Sequence, residues 1–187
     1  MWKLLSGWMH HISRGWIALG SLVVFLAFTA LILPAQSARA GADSGDAGSP
    51  DLSFYYTAQD LYEMAERYGE VGRCAYVRAR FTFDLVWPLV YTAFLCTGIS
   101  WVNRRAFGPG SLWQRANLAP VWGALLDYAE NVSTSVVMLR YPSKTPMVDV
   151  LAGVFTAGKW VLLSASFALL LTGAGAGMWQ WMRTRRQ

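Results

Sequence analysis

Asp127, Glu130 and Asn131 interrupt an apolar segment long enough to cross a membrane. With Thr134 they recur at i, i+3, i+4 and i+7, a spacing that puts all four on one helix face. A similar stripe, Asp149, Thr156, Lys159 and Ser166, follows in the next apolar run. A third passes through Arg73, Tyr76, Arg80, Asp84 and Tyr91. Carboxylates, an ammonium group and phenols on neighbouring helices can exchange protons, hold a small polar ligand or pair with one another. A charged Asp or Lys at the centre of a spanning helix costs about 2.5–3.5 kcal/mol. Such groups are therefore expected to face the inside of a bundle and to find partners there.

Depth makes the pairing specific. At the helical rise per residue, Asp127 lies about 14 Å into its segment, Lys159 about 16 Å and Tyr91 about 15 Å. All three fall in the middle of a hydrocarbon core about 30 Å thick. Lys159 is the expected partner of Asp127 or Glu130. Charge does not balance: Asp84, Asp127 and Glu130 outnumber Lys159, and Arg80, one turn from Asp84, neutralises only one more unit. The remainder predicts a carboxyl group that keeps its proton, or a bound cation. A carboxyl of that kind suits proton transfer. The candidate site is thus Asp127, Glu130, Asn131 and Lys159, with Tyr91, Asp84 and Arg80 toward its mouth.

These residues allow three functions. The first is an intramembrane pocket that binds or moves a small ligand or proton. The second is a membrane enzyme acting on a lipid-like substrate, with a carboxylate as acid or base. The third is a structural or assembly subunit, whose buried ion pair only fixes helix packing and which works in an oligomer or beside a partner membrane protein. Other chemistries are disfavoured. The two histidines, His10 and His11, precede the first apolar run, which argues against a haem held between helices. Zinc lacks a ligand set, no metal site is expected, and the cofactor is left unknown. No histidine is placed to activate a serine. Asn131-Val132-Ser133 has the form of a glycosylation acceptor but lies inside a span.

Composition supports the membrane setting. Of the 187 residues, 55% are hydrophobic and 14% charged, and ten are tryptophan. A soluble domain would carry roughly 25% charged residues. The net charge of +5 sits mostly beside apolar runs, as topology signals do, so the bilayer and not nucleic acid is the expected partner. Cys74 and Cys96 are about 33 Å apart along a helix and cannot bridge.

The expected fold is all-α: a single integral membrane domain over residues 1–187, a four-transmembrane-helix bundle. The spans are placed at about 16–33, 81–102, 118–139 and 148–171, from uncharged or weakly charged runs of spanning length. Pro34 is expected to end the first. A small-residue site at Ala38-Arg39-Ala40 also fits a cleaved signal peptide, but the apolar run is longer than the usual h-region, which favours an uncleaved helix. Residues 36–51, rich in Ala, Gly, Ser and Asp, read as a flexible linker. Thr57 and Asp60 have the form of a capping box. Leu61, Met64, Tyr68 and Val71 then recur on one side of a short amphipathic, extracytoplasmic helix in the loop of about 36–80. Gly69 and Gly72 interrupt it. Gly108-Pro109-Gly110 marks a turn. Gly173 and Gly177 have the spacing of close helix packing.

Lysine and arginine set the orientation. The N-terminal flank, the loop between spans two and three and the C-terminal flank hold eight, from Lys3 to Arg186. The first loop holds five, offset by seven acids. Both termini are therefore expected in the cytoplasm of a bacterium, with the bundle in its inner membrane.

Four strings, Gly69-Glu70-Val71-Gly72-Arg73, Asp84 through Pro88 to Tyr91, Leu126-Asp127-Tyr128-Ala129-Glu130-Asn131 and Phe155-Thr156-Ala157-Gly158-Lys159-Trp160, resemble those of small uncharacterised bacterial four-helix membrane proteins. The resemblance covers roughly residues 55–165. It implies the same fold and attaches no function.

Overall fold

A computed structural model describes residues 2–44, 48–108 and 111–185. Arg186 and the Pro109-Gly110 part of the expected turn lie outside them. The described residues form helices and connecting turns, with no strand. The helices are α1 (Trp2–Ile12), α2 (Gly15–Ala27), α3 (Leu33–Ser44), α4 (Ala58–Arg80), α5 (Phe83–Ala106), α6 (Leu112–Arg115), α7 (Ala119–Arg140) and α8 (Val148–Thr184). Three stretches are long and apolar enough to cross a membrane: Gly15–Ala42, Ala58–Ala106 and Val148–Thr184. Along the first, Trp16 and Leu31 are 70% and 75% exposed, and no residue of the apolar window is fully buried. A face of that kind is stable against lipid and costly in water. The expected third span, α7, is not among the three, because Asp127, Glu130 and Asn131 lower its hydropathy.

Pro34 does not end the first helix. A π-helical turn, Phe28–Ile32, precedes it, and Leu33 N–H bonds to the Phe28 carbonyl. This widened turn adjusts the hydrogen-bond register just ahead of the residue that lacks an N–H. The helix then continues as α3 through residues expected to be a linker. Its alanines, glutamine and arginine are good helix formers, and they outweigh the scattered Gly and Ser. Past residues 45–47, which lie outside the description, Pro50–Leu52 forms a 3₁₀ turn.

Thr57 caps α4 as expected. Its hydroxyl accepts from Asp60 N–H at 3.2 Å, and Asp60 Oδ2 accepts from Thr57 N–H at 2.8 Å. Gly69 breaks the helix with φ 61°, a conformation that favours glycine. The buried face nevertheless keeps its helical spacing across the break. Leu61, Ala65 and Tyr68 are buried before it, and Gly72, Tyr76 and Arg80 after it. Val71, expected on the same side as Leu61, Met64 and Tyr68, is 84% exposed. A turn at Phe81–Thr82 separates α4 from α5, and Thr82 Oγ1 donates back to the Arg78 carbonyl at 2.8 Å, satisfying a helix-end acceptor.

The chain divides into two compact units. The first comprises Met1–Leu26, Val90–Trp122 and Val161–Gln187. Within it, α1 is tied in by polar side chains. Ser6 Oγ donates to Asn117 Oδ1 at 2.8 Å, Asn117 Nδ2 donates to Ser100 Oγ at 2.9 Å, and His10 meets the Gln114 carbonyl at 2.8 Å. Phe25 stacks on Phe94. A Cβ on Gly173 would meet Val102 Cγ1 at 2.9 Å, so that glycine lets α8 lie close to α5. Gly177 has no neighbour within 4 Å of such an atom. Only one member of the expected small-residue pair packs, and α8 runs on helically to Thr184.

The second unit comprises Ala27–Leu89 and Gly123–Trp160. Its core is Tyr56, Leu61, Ala65, Tyr68, Tyr76, Val137, Met138 and Ala152.

Candidate functional site

The second unit holds the charged cluster, and two glycines position it. A Cβ on Gly158 of α8 would meet Leu126 Cδ1 of α7 at 2.7 Å. One on Gly153 would overlap the Tyr56 carbonyl. Glycine at these positions lets α8 approach α7 on one side and the loop before α4 on the other. Lys159, one turn beyond Thr156 on the buried side of α8, then extends into a space bordered by both.

The Lys159 ammonium is 4% exposed as a residue and meets three carboxylates. Glu130 Oε2 is 2.5 Å away, and Asp127 Oδ1 and Asp51 Oδ1 are each 3.3 Å away. Arg80 forms the second centre. Its Nη1 pairs with Asp51 Oδ2, its Nε lies 3.1 Å from Asp84 Oδ2, and Nη1 also donates to Asn131 Oδ1 at 3.4 Å. The Arg80 guanidinium stacks over the Tyr76 ring at 4.5 Å, a favourable cation–π placement. Asp51 is the bridge, with one oxygen on Lys159 and the other on Arg80.

The sequence reading brings Asp127, Glu130, Asn131, Lys159, Asp84 and Arg80 together, and the structure shows all six in this cluster. Tyr91 belongs to the first unit, where it is buried. Of the flanking stripes, Thr134 and Thr156 are fully buried, and the Tyr76 and Tyr56 phenols lie against them and near Glu130. Burial pushes the Tyr56 phenol above its usual range. Arg73 instead donates to the Ala65 carbonyl at 2.9 Å, and Asp149 accepts from Tyr62 Oη at 3.1 Å. Sequence reasoning missed Asp51 and Tyr56. Asp51 sits in a stretch whose composition reads as linker, and a loop carries no periodicity to show which way a residue faces. The one available signal was Pro50-Asp51, a turn-forming pair just ahead of the Thr57 cap.

Four carboxylates thus face two cations. Side-chain exposure grades from 24% at Asp51 through 14% at Asp84 and 9% at Asp127 to 0% at Glu130. Glu130 Oε1 and Asn131 Nδ2 are buried and have no hydrogen-bond partner of normal geometry among the described residues. Oxygens of Asp51, Asp127 and Glu130 lie within 4.8 Å of one another, close enough to share a metal ion, but the Lys159 ammonium already lies within reach of all three. An open cleft of about 300 Å³ is lined by Arg80 and Tyr76 and by the α3 residues Gln36, Arg39 and Ala40.

Fold and site together define a class: among the described residues, a helical protein with three stretches long and apolar enough to cross a membrane and a buried carboxylate cluster centred on lysine and arginine. Comparison with protein-family models, with curated proteins and with solved structures found no match for the chain.

Proposed function

We propose that the cluster is a proton-exchanging site inside a four-span bundle of the bacterial inner membrane. The observation that carries this reading is the charge count around Lys159 and Arg80. Two cations neutralise two of the four carboxylates. Uncompensated charge buried beside helices of this apolarity is very costly. Binding protons at the remaining acids removes that cost, and Glu130 is the most deeply buried of the four. Asp51 is the most exposed of the four and connects the cluster to the surface. Access of this kind favours exchange with the surroundings over a purely structural lock or lipid chemistry.

In this reading α7 spans as well. Its 22 residues reach about 33 Å, and pairing of Asp127 and Glu130 with Lys159 offsets their insertion cost. Both termini are cytoplasmic, and the start of α4 lies on the outer side with its Asp60, Glu63 and Glu66 toward water.

Infrared difference spectroscopy on the full chain in lipid tests the site. We expect a carboxylic acid carbonyl band that shifts in deuterium oxide and disappears in Glu130→Gln. A spectrum showing every carboxyl ionised at neutral pH would sink the proposal.

A further inference from the structure

The cleft beside the cluster has a chemistry of its own. Its walls are α3 and α4, and its lining includes Arg39, Arg78 and Arg80, with Gln36 and Ser49 as further polar groups. No Asp or Glu is among the described residues that line it. Arg80 is buried and already held by Asp51 and Asp84. Arg39 and Arg78 are exposed, stand on opposite helices, and make no ion pair or side-chain hydrogen bond among the described residues. Two guanidinium forks on facing walls of a concave site match an anion with several oxygens.

Position narrows the class. Arg39 is three residues from the end of the apolar stretch Gly15–Ala42. In a helix that crosses a bilayer, such a residue lies at the level of the lipid headgroups, within reach of their phosphates.

We propose that this cleft binds a phosphate group, with Arg39 and Arg78 as the recognising residues. A lipid phosphodiester and free inorganic phosphate share this chemistry. The proposal stands apart from the proton-exchange reading, since neither Arg39 nor Arg78 takes part in the cluster.

The test is titration of the purified full chain in detergent with short-chain phosphatidylglycerol, short-chain phosphatidylcholine or inorganic phosphate, followed by native mass spectrometry and melting temperature. We expect phosphatidylglycerol to bind and stabilise, phosphatidylcholine to do so far less, and added salt to weaken the effect. The double variant Arg39→Gln/Arg78→Gln should bind at least tenfold more weakly, while Arg140→Gln, at the exposed end of α7, should match the wild type. Arg39→Lys/Arg78→Lys should recover part of the affinity, because the charge stays and the fork is lost. Stabilisation by inorganic phosphate alone would assign the site to free phosphate; a requirement for phosphatidylglycerol would assign it to a headgroup. Equal binding of the two lipids, unchanged affinity in the double glutamine variant, or no binding of either phosphatidylglycerol or phosphate to the wild type would each overturn the proposal.

Discussion

Lys159 Nζ lies 2.5 Å from Glu130 Oε2, and the two residues are 4% and 0% exposed. Removing Lys159 strands the Asp127 and Asp51 carboxylates that it also pairs with, and breaking a buried pair in this way costs about 3–5 kcal/mol. Lys159→Met should therefore lower thermal stability in detergent sharply. Glu130→Gln should cost less, because Asp51 and Asp127 still surround the ammonium. The double variant should be more stable than the sum of the two losses predicts. A thermal-unfolding cycle over the four proteins measures this coupling, and strictly additive losses would show that the pair is not a unit.

Asp51 joins the two cationic centres from a segment that is not part of any long helix. Asp51→Asn keeps the shape and removes the charge that both Lys159 and Arg80 engage. Hydrogen bonds to charged groups contribute about 1.5–3 kcal/mol each, and the partial exposure of Asp51 reduces that figure. A loss of about 1–2 kcal/mol is expected on this basis, with faster amide exchange over residues 48–56. Hydrogen-exchange mass spectrometry checks it; unchanged protection of that segment would mean that Asp51 does not anchor the loop.

How far the site was legible follows from the difference between these two residues. Lys159, Asp127 and Glu130 stand out because lipid-facing helices exclude charge, so each polar residue in an apolar run carries information. Their pairing could be inferred from rise per residue alone. Asp51 stands in a stretch where polar residues are ordinary. Only the approach of the loop to Gly153, a tertiary contact, brings it inward. Val71 shows the same limit on a helix: its spacing groups it with Leu61 and Tyr68, but the buried face runs on through Gly72, Tyr76 and Arg80 and leaves it exposed. The polar tie from Ser6 through Asn117 to Ser100 was also silent, since serine and asparagine near predicted span ends read as ordinary flanks.

Gly153 tests the loop contact directly. A methyl group there would overlap the Tyr56 carbonyl, so Gly153→Ala must push the loop from α8 and pull Asp51 from Lys159. Elsewhere in α8, Gly177 has open space around it, and Gly177→Ala should gain up to about 1 kcal/mol from helix propensity. Opposite signs are therefore expected for the same chemical change in one helix. Melting temperatures of the two variants decide the matter, and stabilisation by Gly153→Ala would contradict the close approach.

In the first unit, Asn117 is fully buried and accepts from Ser6 Oγ at 2.8 Å while donating to Ser100 Oγ at 2.9 Å. Asn117→Leu leaves both hydroxyls without their partner and places a branched chain where a planar amide lay. Each buried group so deprived costs about 1–3 kcal/mol. The effect should concentrate on α1, whose hold on the unit runs through Ser6 and through His10 at the Gln114 carbonyl. Limited proteolysis should accordingly cut the α1 segment of the variant well before that of the wild type. Asn117→Asp, which keeps an acceptor for Ser6 but loses the donor to Ser100, should fall between them. Equal cleavage of all three proteins would show that α1 is held by other contacts.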